Sequence, residues 1–208
     1  MSKDICYIFC GGEQLNMPMS IPDNCYVIAV DFGLKYLEQN NIKPDLIVGD
    51  FDSLGYIPQY KNVITLSKDK DDTDTMFAIK EGMKLGFKEF HIFCGTGGQF
   101  QHTFANIQCL AFIAEKNLKG ILYDGNSKFS AIHNTSLKIV GGYGNISVFS
   151  LSNECKGVFL KGLKYPLENY TMTNTYPIGI NNEFIGKEVE IIVECGTLLI
   201  IIPFSVKV

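Results

Sequence analysis

The acids between residues 44 and 74 are the side chains whose type and spacing can do chemistry. PDLIVGDFDSL carries Asp50 and Asp52, and KDKDDTD, after a short gap, carries Asp69, Asp71, Asp72 and Asp74. Alternate residues of an extended segment point to one side, so Asp50 and Asp52 can face one ion together. Asp71 and Asp74 lie three apart where a helix begins, close enough in direction to converge on that ion or on a second. Gathered carboxylates repel one another and lose hydration unless a cation compensates them. Mg²⁺, a hard ion that takes oxygen ligands and usually arrives with a phosphorylated substrate, suits such a set. Lys68 and Lys70 add positive groups for a polyphosphate. Chemistry of this type needs positioning and cancellation of charge on the transferred group. A solvated acidic loop is the plain alternative.

The elements around these acids read as an α/β unit. Asp45 to Gly49 is short, branched-rich and hardly alternating, as expected of a buried parallel strand. Ligands of open α/β sheets bind at the carboxyl ends of such strands, where Asp50 and Asp52 stand. Further strands are expected at 5–10, 26–31, 62–66, 90–94 and 120–125. Helices are expected at about 33–40, after Thr73 or Asp74 as cap with Met76, Ile79 and Met83 on its inner face, and at 100–116 with Ile107, Leu110, Ala111 and Ala114 as its stripe. Asp31 ends the second strand where it can cap the helix that follows. Alternation of this kind predicts βαβ units and a mainly parallel sheet with flanking helices. Gly11-Gly12 allows a tight turn or close approach to a ligand. Gly95-Thr96-Gly97-Gly98 follows a strand and precedes a helix, a setting whose N–H groups favour a phosphate. His102 opens that helix among polar residues and reads as a ligand contact, whereas His91 lies in an apolar strand and reads as a core or edge residue.

After residue 127 the pattern changes. Short apolar or alternating runs at 129–132, 137–140, 145–151, 157–160, 188–194 and 197–202 are separated by glycine, asparagine and proline. They predict a small all-β sandwich or barrel, and the boundary divides the chain into 1–127 and 128–208.

Composition narrows the function classes. A formal charge of −4 over 208 residues, with no Lys/Arg block, gives no attraction for a nucleic-acid backbone. The 7 cysteines form no CxxC pair and mostly lie in apolar runs, so they read as buried thiols of a reducing compartment. The first residues read as no signal peptide, and no run is expected to span a membrane. Neither a GxxxxGK[ST] loop nor a GxGxxG fingerprint occurs, and no Ser-His-Asp or Cys-His arrangement supports nucleophilic hydrolysis.

Over nearly its whole length the chain resembles the thiamine pyrophosphokinases. PDLIVGDFDSL is similar to that family's most recognisable motif, and Lys70 to Asp74 to its second, K-D-x-T-D. Gly11-Gly12 and Val30-Asp31 fit the early strand ends, and GLKYPL at 162–167 and GINNEF at 179–184 fit the two segments of the second domain. The resemblance implies transfer of the β,γ-pyrophosphoryl group of ATP to the hydroxyl of thiamine, giving thiamine diphosphate and AMP. It implies Mg²⁺ held by Asp50, Asp52, Asp71 and Asp74, which orient the polyphosphate. Asp31, Lys70, Thr73, Gly97, Gly98, Gln99 and His102 would lie along the ATP. The β domain would build the thiamine pocket, with Asn181 and Asn182 lining it across a homodimer interface, and the compartment would be the cytoplasm. The family usually has Gly-Gly-Arg-x-Asp-His where this chain has Gly97-Gly98-Gln99-Phe100-Gln101-His102. Asn181 stands for a usual serine, and Phe32 for a common glycine. Two other readings follow from these departures: a related diphosphokinase for another heteroaromatic alcohol, and a thiamine- or nucleotide-binding protein without transfer.

Overall fold

The computed structural model describes residues 4–13, 21–22, 25–67, 69 and 71–207. The chain forms two compact units, one of residues up to Cys109 with Leu122–Gly125, the other of Leu110–Ile121 with Asn126–Val208.

The first unit begins with β1 (Ile5–Phe9) and β2 (Tyr26–Val30), followed by α1 (Gly33–Gln39), β3 (Leu46–Gly49) and β4 (Val63–Thr65). Next come α2 (Asp74–Lys84), β5 (Glu89–Phe93), α3 (Phe100–Glu115) and β6 (Lys119–Asp124); the last two elements carry the chain between the units. The strand order is β6-β5-β1-β2-β3-β4. The pairs β5–β1, β1–β2, β2–β3 and β3–β4 are all parallel. From β1 the chain builds outward on one side to β4, then crosses back to place β5 on the other side. That reversal is a topological switch point, and it opens a crevice beyond the carboxyl ends of β1 and β5.

Helices cover both faces. Phe9 stacks on Tyr36 of α1 with centroids 5.5 Å apart, and Gly33 lies so close that a Cβ there would overlap the Phe9 carbonyl oxygen. On the other face Cys6 and Phe90 meet α2 at Gly82, where a Cβ would stand 2.7 Å from the Phe90 ring. That close approach sets the buried stripe of α2 to Thr75, Ala78, Ile79 and Gly82, and the bulkier Met76 and Met83, expected inside, are only half-buried. On α3, Leu110 and Ala114 are buried as expected, joined by Asn106, Cys109 and Ile113, while Ile107 and Ala111 are half-buried.

The second unit is an antiparallel sandwich. One layer is the run of strands β12-β9-β14-β7, from β7 (Ser127–His133), β9 (Asn145–Ser150), β12 (Asn182–Glu183) and β14 (Thr197–Pro203). The other runs β11-β10-β13-β8, from β8 (Ser136–Ile139), β10 (Glu154–Lys161), β11 (Leu167–Thr173) and β13 (Val189–Ile192). Inward residues of both sheets, among them Ile146, Val148, Val158, Ile191 and Ile200, make one core. Each such side chain contributes about 1.5–3 kcal/mol relative to exposure. β11 is absent from the sequence-based expectation because its half-exposed residues, LENYTMT, carry little apolar signal.

Candidate active site

The crevice at the switch point is a cleft of about 690 Å³, lined by the segments that leave β1, β2, β3 and β5 and by the start of α2 and α3. Asp31, Asp50, Thr73, Asp74, Gly97, Gly98, Gln99 and His102 of the expected set all line it. Asp52 and Asp71 are exposed and stand outside the lining residues. Lys70 lies outside the described residues, as does Lys68. Asn181 and Asn182 belong to the second unit.

The strand ends are conformationally demanding. Asp31, Phe51 and Cys94, which follow β2, β3 and β5, have φ of 48°, 62° and 53°. Left-handed backbone at residues other than glycine or asparagine costs free energy and persists only where the surroundings impose it, which is common at functional sites. In this way each of these strands ends in a sharp turn at the edge of the cleft.

Asp31 has the most unusual surroundings. Ser53 Oγ donates to its Oδ2 at 2.5 Å, while its Oδ1 is buried and has no hydrogen-bond partner among the described residues. Burial, then the nearby Asp74 and Asp50 carboxylates, raise its pKa above the ordinary aspartate value, and hydrogen bonds from Ser53 and the Phe32 backbone oppose them. Asp31 therefore does not cap α1, as its sequence position suggests. Phe32 occupies the cap position with no side-chain hydrogen bond, because the Asp31 carboxylate is turned to Ser53. Asp50 Oδ1 accepts from the Asp52 backbone N–H at 3.1 Å, which braces the loop after β3. Thr73 caps α2, its side-chain oxygen accepting from Met76 N–H at 3.1 Å, and so presents Asp74 in the first helical turn. Asp72 is taken by Lys80, whose Nζ reaches both carboxylate oxygens at 2.8 and 2.7 Å.

No group of three or more His, Cys, Asp or Glu side chains stands close enough to hold a metal among the described residues. The donor set still suits a hard cation. The orphaned Asp31 oxygen is an available ligand, and positive charge would relieve the repulsion among Asp31, Asp50 and Asp74.

The lining residues that sequence reasoning does not single out include Glu13, Ser53, Thr75 and Asn106. Ser53 lies inside the GDFDS motif, so its place beside two acids is the one available signal. Asn106 is buried in α3 and donates to the Gly95 carbonyl at 2.7 Å, fixing the glycine turn to the helix. The departures at 99 and 101 face each other: Gln101 Nε2 donates to Gln99 Oε1 at 2.6 Å. The amide pair occupies the two positions at which the sequence departs from the motif it resembles. The floor of the cleft contains Cys10, whose thiol lies 3.4 Å from Thr75 Oγ1. Burial, more than any neighbour, pushes the Cys10 thiol up to about 12, and does the same for Cys109.

A smaller pocket of about 220 Å³ lies in the second unit, lined in part by Tyr165, Pro166, Ile178, Ile180 and Asn182. Asn182 joins its two walls: its Oδ1 accepts from Tyr165 N–H at 3.0 Å and Glu183 N–H at 2.9 Å, and its Nδ2 donates to the Tyr165 carbonyl at 2.6 Å. Asn182 therefore builds this pocket with its side-chain amide already engaged. Asn181, at φ 53°, donates its backbone N–H to Ser147 Oγ at 3.0 Å and is exposed.

Comparison with known proteins agrees with this arrangement. No curated protein matches the chain in sequence. Among solved structures, thiamine pyrophosphokinase from Bacillus subtilis is similar at a TM-score of 0.84 and 26% identity, over 96% of this chain and 98% of that one. Thiamin pyrophosphokinase from Geobacillus thermodenitrificans shares the fold at a TM-score of 0.83 and 23% identity, over 97% and 98% of the two chains. The yeast enzyme of the same name shares it at 0.74 and 14% identity, over 98% and 87%. Residues 19–122 match the family model described as thiamin pyrophosphokinase, catalytic domain, and residues 135–198 match its vitamin B1 binding domain. On its sequence models and its fold together, the chain belongs to the thiamin pyrophosphokinase family.

Proposed function

We propose that this chain transfers the β,γ-pyrophosphoryl group of ATP to the hydroxyl of thiamine at the cleft of its first unit, with Mg²⁺ as cofactor. Residues 1–127 are the ATP- and Mg²⁺-binding catalytic domain, and residues 128–208 supply the thiamine pocket. The observation that carries the placement is the buried, unpartnered Asp31 oxygen beside Asp50 and Asp74 at the ends of parallel strands. Asp50, Asp52, Asp71 and Asp74 are the proposed metal ligands, of which Asp50 and Asp74 already face the cleft. The ion supplies charge neutralisation for the polyphosphate.

The chain's own residues do the positioning. Thr73 holds the start of α2 so that Asp74 faces the nucleotide, and Ser53 fixes one Asp31 oxygen so that the other points inward. The turn at Gly97 and Gly98, with Gln99 and His102 behind it, lies along the triphosphate; Lys70, which lies outside the described residues, is proposed as a further ATP contact on its motif alone. Attack of the thiamine hydroxyl on the β-phosphorus breaks the bond to the α-phosphate oxygen, and AMP leaves. Asn182 shapes the thiamine pocket, and Asn181 lines it across a homodimer interface. The proposed setting is the cytoplasm. No helix among the described residues is long and apolar enough to cross a membrane.

Incubation of the purified protein with ATP, Mg²⁺ and thiamine tests the reading. Thiamine diphosphate and AMP should form in equal amounts. Turnover only with another heteroaromatic alcohol would reassign the substrate, a reading that the Gln99–Gln101 pair favours. Binding of both ligands with no AMP at any metal concentration would leave a binding protein.

A further inference from the structure

The glycine turn before α3 is already occupied by an acid of this chain. Gly98 N–H donates to Glu13 Oε1 at 3.0 Å. The same side chain lies against Gly97, where a Cβ would stand 2.7 Å from Glu13 Cγ and Cδ. Gly97 and Gly98 have φ of 78° and 59°, a backbone that glycine adopts without cost and that lets the carboxylate approach. The backbone of the acid is fixed beside the turn, since Gly12 N–H donates to the Cys94 carbonyl at 2.7 Å and Glu13 N–H to the Thr96 carbonyl at 3.1 Å. The Glu13 side chain itself is exposed.

An N–H at a glycine turn ahead of a helix attracts anions, and a carboxylate and a phosphate oxygen compete for it on the same terms. They cannot share it cheaply, because two like charges at one donor repel. The rest of the lining makes this sharper: Glu13, Asp31, Asp50 and Asp74 contribute carboxylates, and no Lys or Arg is among the described lining residues.

We infer that Glu13 sets the affinity for ATP by acting as an internal competitor for the nucleotide's phosphate. Its carboxylate holds Gly98 N–H in this structure and gives it up to a phosphate oxygen when the nucleotide binds. The inference rests on the cleft being the nucleotide site. A charge-assisted hydrogen bond must be surrendered before the phosphate makes its own, so the chain binds ATP less tightly than a turn with no such side chain.

Titration with Mg²⁺ and a non-cleavable ATP analogue, together with steady-state kinetics, tests the inference on Glu13→Ala and Glu13→Gln. In Glu13→Ala the Kd and the KM for ATP should fall about five- to tenfold. Glu13→Gln keeps an acceptor without the charge, so a smaller fall is expected. The KM for thiamine should not move in either. Inorganic pyrophosphate with Mg²⁺ should shift the Gly98 amide resonance of the unaltered chain. Unchanged ATP affinity in both variants would overturn the inference, and weaker binding would do so too by making Glu13 a ligand of the nucleotide. An analogue that binds the unaltered chain without moving the Gly97 and Gly98 resonances would instead remove the cleft from the reaction, a failure visible before any variant is compared.

Discussion

Replacing Asp31 by Asn should make the ligand-free protein more stable and the working enzyme nearly inactive. In the native chain one oxygen of Asp31 is buried without a partner, and Asp74 and Asp50 face it with like charge. An asparagine keeps an acceptor for Ser53 and turns a donor toward those carboxylates. A buried unpaired polar atom costs about 1–3 kcal/mol, and the half-exposed position screens the charge, so the gain belongs near about 1 kcal/mol. For a chain of this size that is about 2–4 °C in Tm. Mg²⁺ with a non-cleavable ATP analogue at 100 times Kd stabilises a binding-competent protein by about 2.7 kcal/mol, and Asp31→Asn should lose most of that shift. The two variants therefore cross: the substituted chain melts higher alone and lower when ligand is present. The sign with pH follows from the raised pKa. Between the ordinary aspartate value and the raised one, the folded chain holds a proton that the unfolded chain has released. Native stability therefore increases as pH falls through that window, and the substitution should flatten the slope. Thermal melts with and without ligand across this range, paired with AMP release, provide the assay. A lower ligand-free Tm, or a ligand shift equal to the parent's, would refute the reasoning.

Other changes separate charge from scaffold. Asp50→Asn retains an acceptor for Asp52 N–H, so the loop should hold with Tm within about 2 °C while turnover falls by about a hundredfold or more; near-normal AMP release would place the metal elsewhere. Gln99→Arg with Gln101→Asp should raise kcat/KM by about tenfold or more, because a guanidinium adds charge that an amide lacks; an unchanged value would mean that the amide pair already suffices. Asn182→Ala strands backbone groups of Tyr165 and Glu183 and should cost about 2–3 kcal/mol in chemical denaturation, with a higher KM for thiamine and an unaltered KM for ATP.

The first unit was largely legible because its signals are local. A run such as LIVG, buried throughout, announces a central parallel strand, and acids directly after it mark the end where ligands bind. The sequence offers Thr73 or Asp74 as the cap of α2, and the fold selects Thr73. What was illegible depends on partners distant in the chain. Glu13 is a lone acid after two glycines, and only the fold brings it to Gly98, 85 positions on. Asp31 looked like a cap because position favours that role, but Ser53, 22 residues away, claims its carboxylate. Asn182 could be placed near a pocket by its motif, yet its role as a brace needs the Tyr165 backbone opposite it. In the second unit β11 escaped notice since half its side chains face water, and β12 has too few residues to show a period.

The thiols under the cleft have a practical consequence. At neutral pH Cys10 and Cys109 carry almost no thiolate, so alkylating reagents and mild oxidants find nothing nucleophilic there while the sheet is closed. Cys195, at the surface of the other unit, is open to reagent from the start. A maleimide dye would thus mark Cys195 first, and later incorporation at Cys10 or Cys109 would count the molecules whose first unit has come apart. The protein carries its own clock for unfolding, with no probe added to the chain.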